Sequence, residues 1–485
     1  MSSFKPKAPP HPESFTILLP GIDPDAVTTS EQLLDRNNKE FHCFFNEKKF
    51  HNHLIHHILA AYSLGASKER LQEIFDHHAS YQRPLPVSIG PITRETYKEH
   101  LNKPEAYTSF LEFFNIEIKK NGMIDTVRRW VWSGDLLART VGGALHPLIH
   151  IGYGLEFEIP GIVAEGLAMM ACTEAFFLPI IGTQPELNTS AVFPVSAQSA
   201  AENATSTARG YITQLATQFT NQLGILDSSS KPKDDTTRSA APEQTEQSDN
   251  ASGVPSFLKD NPLFALLLEI KNDKTFDGLI SSDTADKSKV VMKSQDAADK
   301  IKSYISRWEI DECTKGVQNA FRQLHAFALV AYGATAFRSN TPGSEFKLDF
   351  FIMHALTSSE FVHQYITKVS PSESATLMRS HLAICIVYYI TTGRPGLNVD
   401  ALLAYKSPNR DSTSSNHWLD VFNRALKAEE VHVIKAVRSC AVGQILYGPS
   451  ESDQLNSIWL KAAEMTLDKD GNWSHSGLGF EETWK

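Results

Sequence analysis

The segment AEEVHVIKAVRSCAVG, Ala428 to Gly443, narrows the choice of fold most sharply. Wound as a helix it is apolar on nearly every side, with Val431, Val433, Ile434, Ala436, Val437, Cys440, Ala441 and Val442. A helix of that kind has no face for water and must be enclosed by other elements. It nevertheless carries His432 and Lys435, three residues apart and therefore on one stripe. Lysine is almost never fully buried unless paired, and burial lowers its pKa by disfavouring the ammonium. The neutral amine is a nucleophile that adds carbon dioxide to form a carbamate, whose oxygens ligate a cation much as glutamate does. The bland alternatives are an ion pair with a nearby acid, or a stem that snorkels to the surface.

The elements needed to enclose such a helix are helical too. From about Glu40 to Leu178 the segments FHCFFNEKKFHNHLIHHILAAYSLGAS, KERLQEIFDHHASY, YTSFLEFFNIEIKKNG and GIVAEGLAMMACTEAFFL follow helical period, the last with the small residues of a crowded core. Helices resume with CTKGVQNAFRQLHAFALVAYGATAF, LDFFIMHALTSSEFVHQYI and SATLMRSHLAICIVYYITTGRP. Strand-like alternation is rare. Between the two blocks, Asp227 to Gly253 holds no Val, Ile, Leu, Met, Phe, Tyr or Trp, so it cannot bury enough surface to offset its ordering entropy.

The expected fold class is all-α, a large single helical domain with a partly disordered insertion. An N-terminal extension covers residues 1–39, and the helical catalytic core runs in two halves, 40–182 and 303–485. The insertion, 183–302, contains the disordered linker 227–253 and shorter helical patterns such as ARGYITQLATQFTNQLGIL and FLKDNPLFALLLEI.

Composition removes several function classes. A formal charge of −10 and the lack of a basic stripe argue against a nucleic-acid partner. No stretch approaches the roughly 18–20 apolar residues that span a bilayer, so no membrane partner is expected. The five cysteines (Cys43, Cys172, Cys313, Cys385, Cys440) are scattered without a CxxC pair, which suits a reducing compartment. The opening MSSFKPKAPPHPESF lacks the apolar run of a signal peptide, and a cytoplasmic location is expected. The pattern carries no signal for an oligomeric state.

The informative histidines sit inside apolar helices, where an unpaired imidazole is unfavourable. In HNHLIHHILAAYSLG, His53 and His57 share one stripe, and the ordinary reading leaves His51 and His56 in water. In GGALHPLIHIGYGLEF, His146 and His150 are spaced i, i+4, but the glutamate of a zinc-protease HExxH is absent and Pro147 marks a helix start. His354 follows Phe350, Phe351, Ile352 and Met353 and is expected to be buried, either as a ligand or bonded to a carbonyl. One imidazole from each of four separated helices is how helical bundles build metal sites. An added oxygen donor tilts such a set toward an oxygen-activating iron site.

The segments HNHLIHHILAAYSLGAS, HPLIHIGYGLEF, MHALTSSEFV and EEVHVIKAVR, in this order, resemble the questin oxidase-like family over about Glu40–Leu178 and Cys313–Leu446. Fungal members of that family act on aromatic polyketides. The family's Asn-His pair before Leu-Gly falls on Asn52-His53 and Leu64-Gly65. Its histidine opening the HPLIH helix is His146, its histidine before A-x-T is His354, and its His-x-x-Lys pair is His432 and Lys435. The resemblance implies a mononuclear non-haem iron, Fe(II)/Fe(III), held by His53, His146, His354, His432 and a carbamylated Lys435. It also implies O₂ and an anthraquinone-like small molecule as reactants, with a ring oxidised in Baeyer–Villiger fashion or opened. Tyr62, Trp130, Trp132, Tyr153 and Phe157 are candidate walls for a flat substrate, and Glu156 is a candidate to orient a ligand histidine.

Neither Gly152-Tyr153-Gly154 nor Gly477-Leu478-Gly479 completes a dinucleotide-binding G-x-G-x-x-G, so any NADPH-derived reductant is expected from outside the chain. Two rival readings use the same residues. A zinc-type hydrolase would employ the histidines and carbamylated lysine to activate water. A non-catalytic helical protein would hold four core histidines with satisfied hydrogen bonds.

Overall fold

A computed structural model describes residues 4–6, 17–186, 260–411, 413, 416–447 and 453–485. The expected linker 227–253 and the helical pattern ARGYITQLATQFTNQLGIL lie outside the described residues. Described by itself, the larger compact unit is all-α, as its periodicity demands. Among the described residues the only strands are Leu348–Asp349 and Trp473–Ser474, which pair in parallel with Leu348 opposite Trp473. Among the described residues no helix is long and apolar enough to cross a membrane.

Phe350–Ile366 is the central helix. It packs against His146–Glu156, Thr314–Ala334, Pro371–Thr391 and Val431–Tyr447, and so is enclosed on every side. Asp349 starts it, accepting from the main-chain N–H groups of Phe351 (2.9 Å) and Ile352 (3.0 Å), two of the donors a helix start leaves unpaired. The apolar-all-round segment forms Val431–Tyr447, with every residue from Val431 to Gly443 buried. Leu54–Ser63 packs on it and on Lys68–Ala79.

The compact unit runs through the boundaries drawn from sequence. Pro24–Glu40, placed in the N-terminal extension, packs against Leu54–Ser63 and Lys68–Ala79. Its Asn38 donates to Glu165 (2.7 Å), and its Asn37 accepts from Asn52 (2.8 Å). Pro262–Asn272 and Gln295–Ser306, placed in the insertion, pack on the Thr314–Ala334 and Pro371–Thr391 helices. Their amphipathic faces bury Leu263, Leu267, Ile270, Ile301 and Tyr304 against the body.

The His146–Glu156 and Phe350–Ile366 helices approach closely because Gly152 lacks a side chain. A Cβ there would lie 2.5 Å from Phe361 Cβ, too near to be relieved by rotating a flexible side-chain end. Gly152→Ala is expected to push these helices apart, destabilising the protein by about 1–3 kcal/mol. A thermal melt with an unchanged midpoint would show that the contact relaxes freely.

Candidate metal centre

Four of the five candidate ligands meet at one place, each delivered by different local chemistry. His53 immediately precedes Leu54–Ser63, and Asn52 before it accepts from the N–H of Leu54 (2.9 Å), one of the donors the helix start leaves unpaired. The Asn-His pair of the sequence thus sets a polar anchor of the helix start beside a ligand candidate. His146 opens His146–Glu156 after three consecutive left-handed residues, Gly143 (φ 52°), Ala144 (φ 53°) and Leu145 (φ 65°). Left-handed backbone costs roughly 1–2 kcal/mol per non-glycine residue, and such strain concentrates at functional sites. It places the carbonyl of Gly143 against His146 Nδ1 at 2.7 Å. Gly143 has no room for a side chain either, since a Cβ would sit 2.5 Å from His51 Cε1.

His354 lies on the second turn of the central helix, where its Nδ1 bonds to the carbonyl of Phe350 at 2.8 Å. His432 bonds through Nδ1 to Glu430 Oε1 at 2.5 Å. Glu430 Oε2 in turn accepts from the main chain of His432 (3.0 Å) and the indole N–H of Trp473 (3.0 Å). Burial pushes the Glu430 carboxyl up, but the His432 charge and these hydrogen bonds more than reverse that, to about 2. Glu430 is therefore an anion in place to orient the ring.

With Nδ1 engaged by an acceptor, the imidazoles of His146, His354 and His432 present Nε2 as a lone-pair donor. One nitrogen from each of His53, His146, His354 and His432 lies within 4.8 Å of the others. His146 Nε2 and His53 Nε2 are 2.7 Å apart, while His354 Nε2 and His432 Nε2 are buried with no hydrogen-bond partner. Burial, reinforced by neighbouring histidine and lysine charge, holds His53, His146 and His354 well below the usual imidazole range, and burial lowers His432 too. Neutral, converging, partly unpartnered nitrogens fit a transition-metal ion.

Lys435 is 1% exposed, its Nζ has no hydrogen-bond partner, and its charge bears on all four rings. Burial, against the opposing pull of Glu430 and Glu360, lowers its pKa from 10.5 to about 8. Neither bland alternative describes it: no ion pair reaches Nζ, and the stem does not surface.

Other sequence expectations are corrected. His51 and His56 do not face water but are 6% and 0% exposed, with His51 stacked on His146 at 4.5 Å between ring centres. His57 turns to His78 (3.1 Å), and His150 to the buried Glu165 (3.0 Å), so neither joins the cluster. Glu156 does not orient a histidine; it binds Arg438. Trp130 is ordinary core, donating to Glu117 and packed among Tyr97, Phe113 and Phe114, and Trp132 donates to the carbonyl of Glu373. Tyr153 is near the site, stacked on His56 at 5.2 Å, with Phe157 beyond it and Tyr62 against Phe157. Glu430 and Trp473 escaped sequence reasoning. A carboxylate two residues before His432 was a visible signal for the first; nothing local marks the second.

In the metal-free protein the unfolded chain holds a proton on Lys435 between pH about 8 and 10.5 that the native state has lost, so stability rises with pH through that window. Below it the buried amine costs on the order of 3 kcal/mol. Lys435→Met is therefore expected to stabilise the metal-free protein at pH 7 and flatten its pH dependence, which urea melts at pH 7 and pH 10 would measure. A less stable variant at pH 7 contradicts the picture of an uncompensated amine.

Residues 50–440 match the family model described as questin oxidase-like. The chain is similar to Baeyer-Villiger oxidase mdpL of Emericella nidulans, 26% identical over 91% of this chain and 88% of the relative. It is similar to Baeyer-Villiger oxidase AgnL3 of Paecilomyces divaricatus, 25% identical over 96% and 91% of the two chains. Questin oxidase of Aspergillus fumigatus is 25% identical over 95% and 92%. The histidine cluster and Lys435 all fall inside the matched segment. The chain belongs to the questin oxidase-like family and is an oxidoreductase of the oxygenase type.

Proposed function

We propose that this chain is a non-haem iron-dependent oxygenase that oxidises or opens a ring of an anthraquinone-like aromatic polyketide. The observation that carries the reading is the convergence of four imidazole nitrogens within 4.8 Å, two of them unpartnered, beside an unpartnered buried amine. His53, His146, His354 and His432 would hold the metal, with the carbamate of Lys435 as an anionic oxygen donor. Iron supplies the redox chemistry with O₂ that no side chain here provides.

The chain's own groups do the rest. Gly143, Phe350 and Glu430 hold Nδ1 protons on three of the rings, which keeps the opposite nitrogens aimed inward. Lys435 can add carbon dioxide because burial leaves its amine largely unprotonated at mildly alkaline pH. Close packing around the cluster keeps bulk water from competing with the reactants. The substrate class follows from the relatives' names, questin oxidase and Baeyer-Villiger oxidase. Reducing equivalents, where the reaction requires them, would come from an external NADPH-derived reductant.

The test is elemental analysis of the purified protein with assays on a hydroxyanthraquinone in air and under nitrogen. About one iron per chain and turnover only in air are expected, with loss of both iron and turnover in His354→Gln. Zinc without iron, together with turnover under nitrogen, would replace this reading with a metal-dependent hydrolase.

A further inference from the structure

Arg438 lies one turn beyond Lys435 on the helix that carries His432, and it is fully buried. Its guanidinium reaches three other helices. Nη2 donates to Glu156 Oε1, at the end of the helix that His146 opens. Nη1 donates to Glu360 Oε1, on the helix that carries His354. Nε donates to Ser63 Oγ at 3.0 Å, at the end of the helix that His53 precedes. The four helices joined by this one fork are the four that present His53, His146, His354 and His432. Tyr153 and Phe157 cover it with their rings, at 5.7 and 5.8 Å.

Stability alone does not account for such a cluster. A buried ion pair contributes little net stability compared with apolar packing of the same volume, and here one cation faces two carboxylates. Each carboxylate leaves its second oxygen, Glu156 Oε2 and Glu360 Oε2, buried without a partner. What a planar fork adds is direction. It fixes several acceptors at set angles, which neither an apolar contact nor the point charge of lysine does.

We propose that Arg438 is a positioning residue of the metal centre: its hydrogen bonds to Ser63, Glu156 and Glu360 set the register of the four ligand-bearing helices so that their imidazoles meet. The inference rests on the metal-centre reading. It predicts that loosening the clasp degrades metal geometry in a protein that still folds. The test titrates the full-length metal-free chain with Co²⁺ in bicarbonate buffer and follows its visible ligand-field bands. The variants are Arg438→Lys, which keeps the charge but not the fork, and Ser63→Ala, which removes only the arm to the His53 helix.

Both variants are expected to melt cooperatively. Arg438→Lys should bind Co²⁺ about 10-fold or more weakly, with shifted bands. Ser63→Ala should move both readouts less, in the same direction, and it decides the matter where Arg438→Lys does not fold. A folded variant with the affinity and spectrum of the unsubstituted chain overturns the proposal. An unsubstituted chain that takes up no cobalt overturns the metal-centre reading, and the clasp's role with it.

Discussion

Every nitrogen placed in the interior of this protein needs a partner, and that requirement organises the structure around the histidine cluster. An imidazole has two ring nitrogens, and burying either one unbonded is unfavourable. His146, His354 and His432 each satisfy Nδ1 locally, with Gly143, Phe350 and Glu430. Meeting that need constrains the surroundings in turn. The carbonyl of Gly143 is in place only because three successive residues take left-handed backbone, and Gly143 can lie against His51 only because it has no side chain. His354 finds its acceptor one turn back because Asp349 starts the helix at Phe350.

The outer layer of interactions reaches parts of the chain far from the candidate ligands in sequence. Trp473 follows the final long helix, yet its indole N–H holds the carboxylate that orients His432. The short parallel pairing of Leu348–Asp349 with Trp473–Ser474 brings that indole next to the start of the His354 helix. The two helices that carry His354 and His432 thus share one support around Trp473. Arg438 joins all four helices through groups that are not themselves ligand candidates. Trp473 lies outside the segment, residues 50–440, that matches the family model.

The arrangement separates tasks among the residues. In the proposed function, imidazoles with fixed tautomers would supply neutral donors, and the buried amine of Lys435 would supply a nucleophile toward carbon dioxide. Cavity-sized hollows elsewhere, of about 380 Å³ near Glu309 and Gln323 and about 280 Å³ near Phe276 and Phe480, carry no comparable chemistry.

Much of this was legible in the residues. Period and composition are local properties, so the all-α class could be read from runs such as Val431–Val442, as could the burial of His354 after four large apolar neighbours. Histidines in or beside apolar helical runs stood out, and the family resemblance singled out His53 over His57 and His146 over His150. Which neighbour a buried polar group meets is a different kind of fact. His57 and His53 share a stripe, yet one turns to His78 and the other to His146. Glu156 was the carboxylate expected to orient a histidine, and it went to Arg438 instead. Such pairings depend on crossing angles and side-chain directions between helices distant along the chain, and no local pattern encodes them. By itself the sequence determined that the chain is helical and that the segment carrying His432 and Lys435 had to be enclosed by other helices. Only the tertiary structure decided which nitrogens face one another and which carboxylates stand behind them, because those contacts exist only once separate helices are packed.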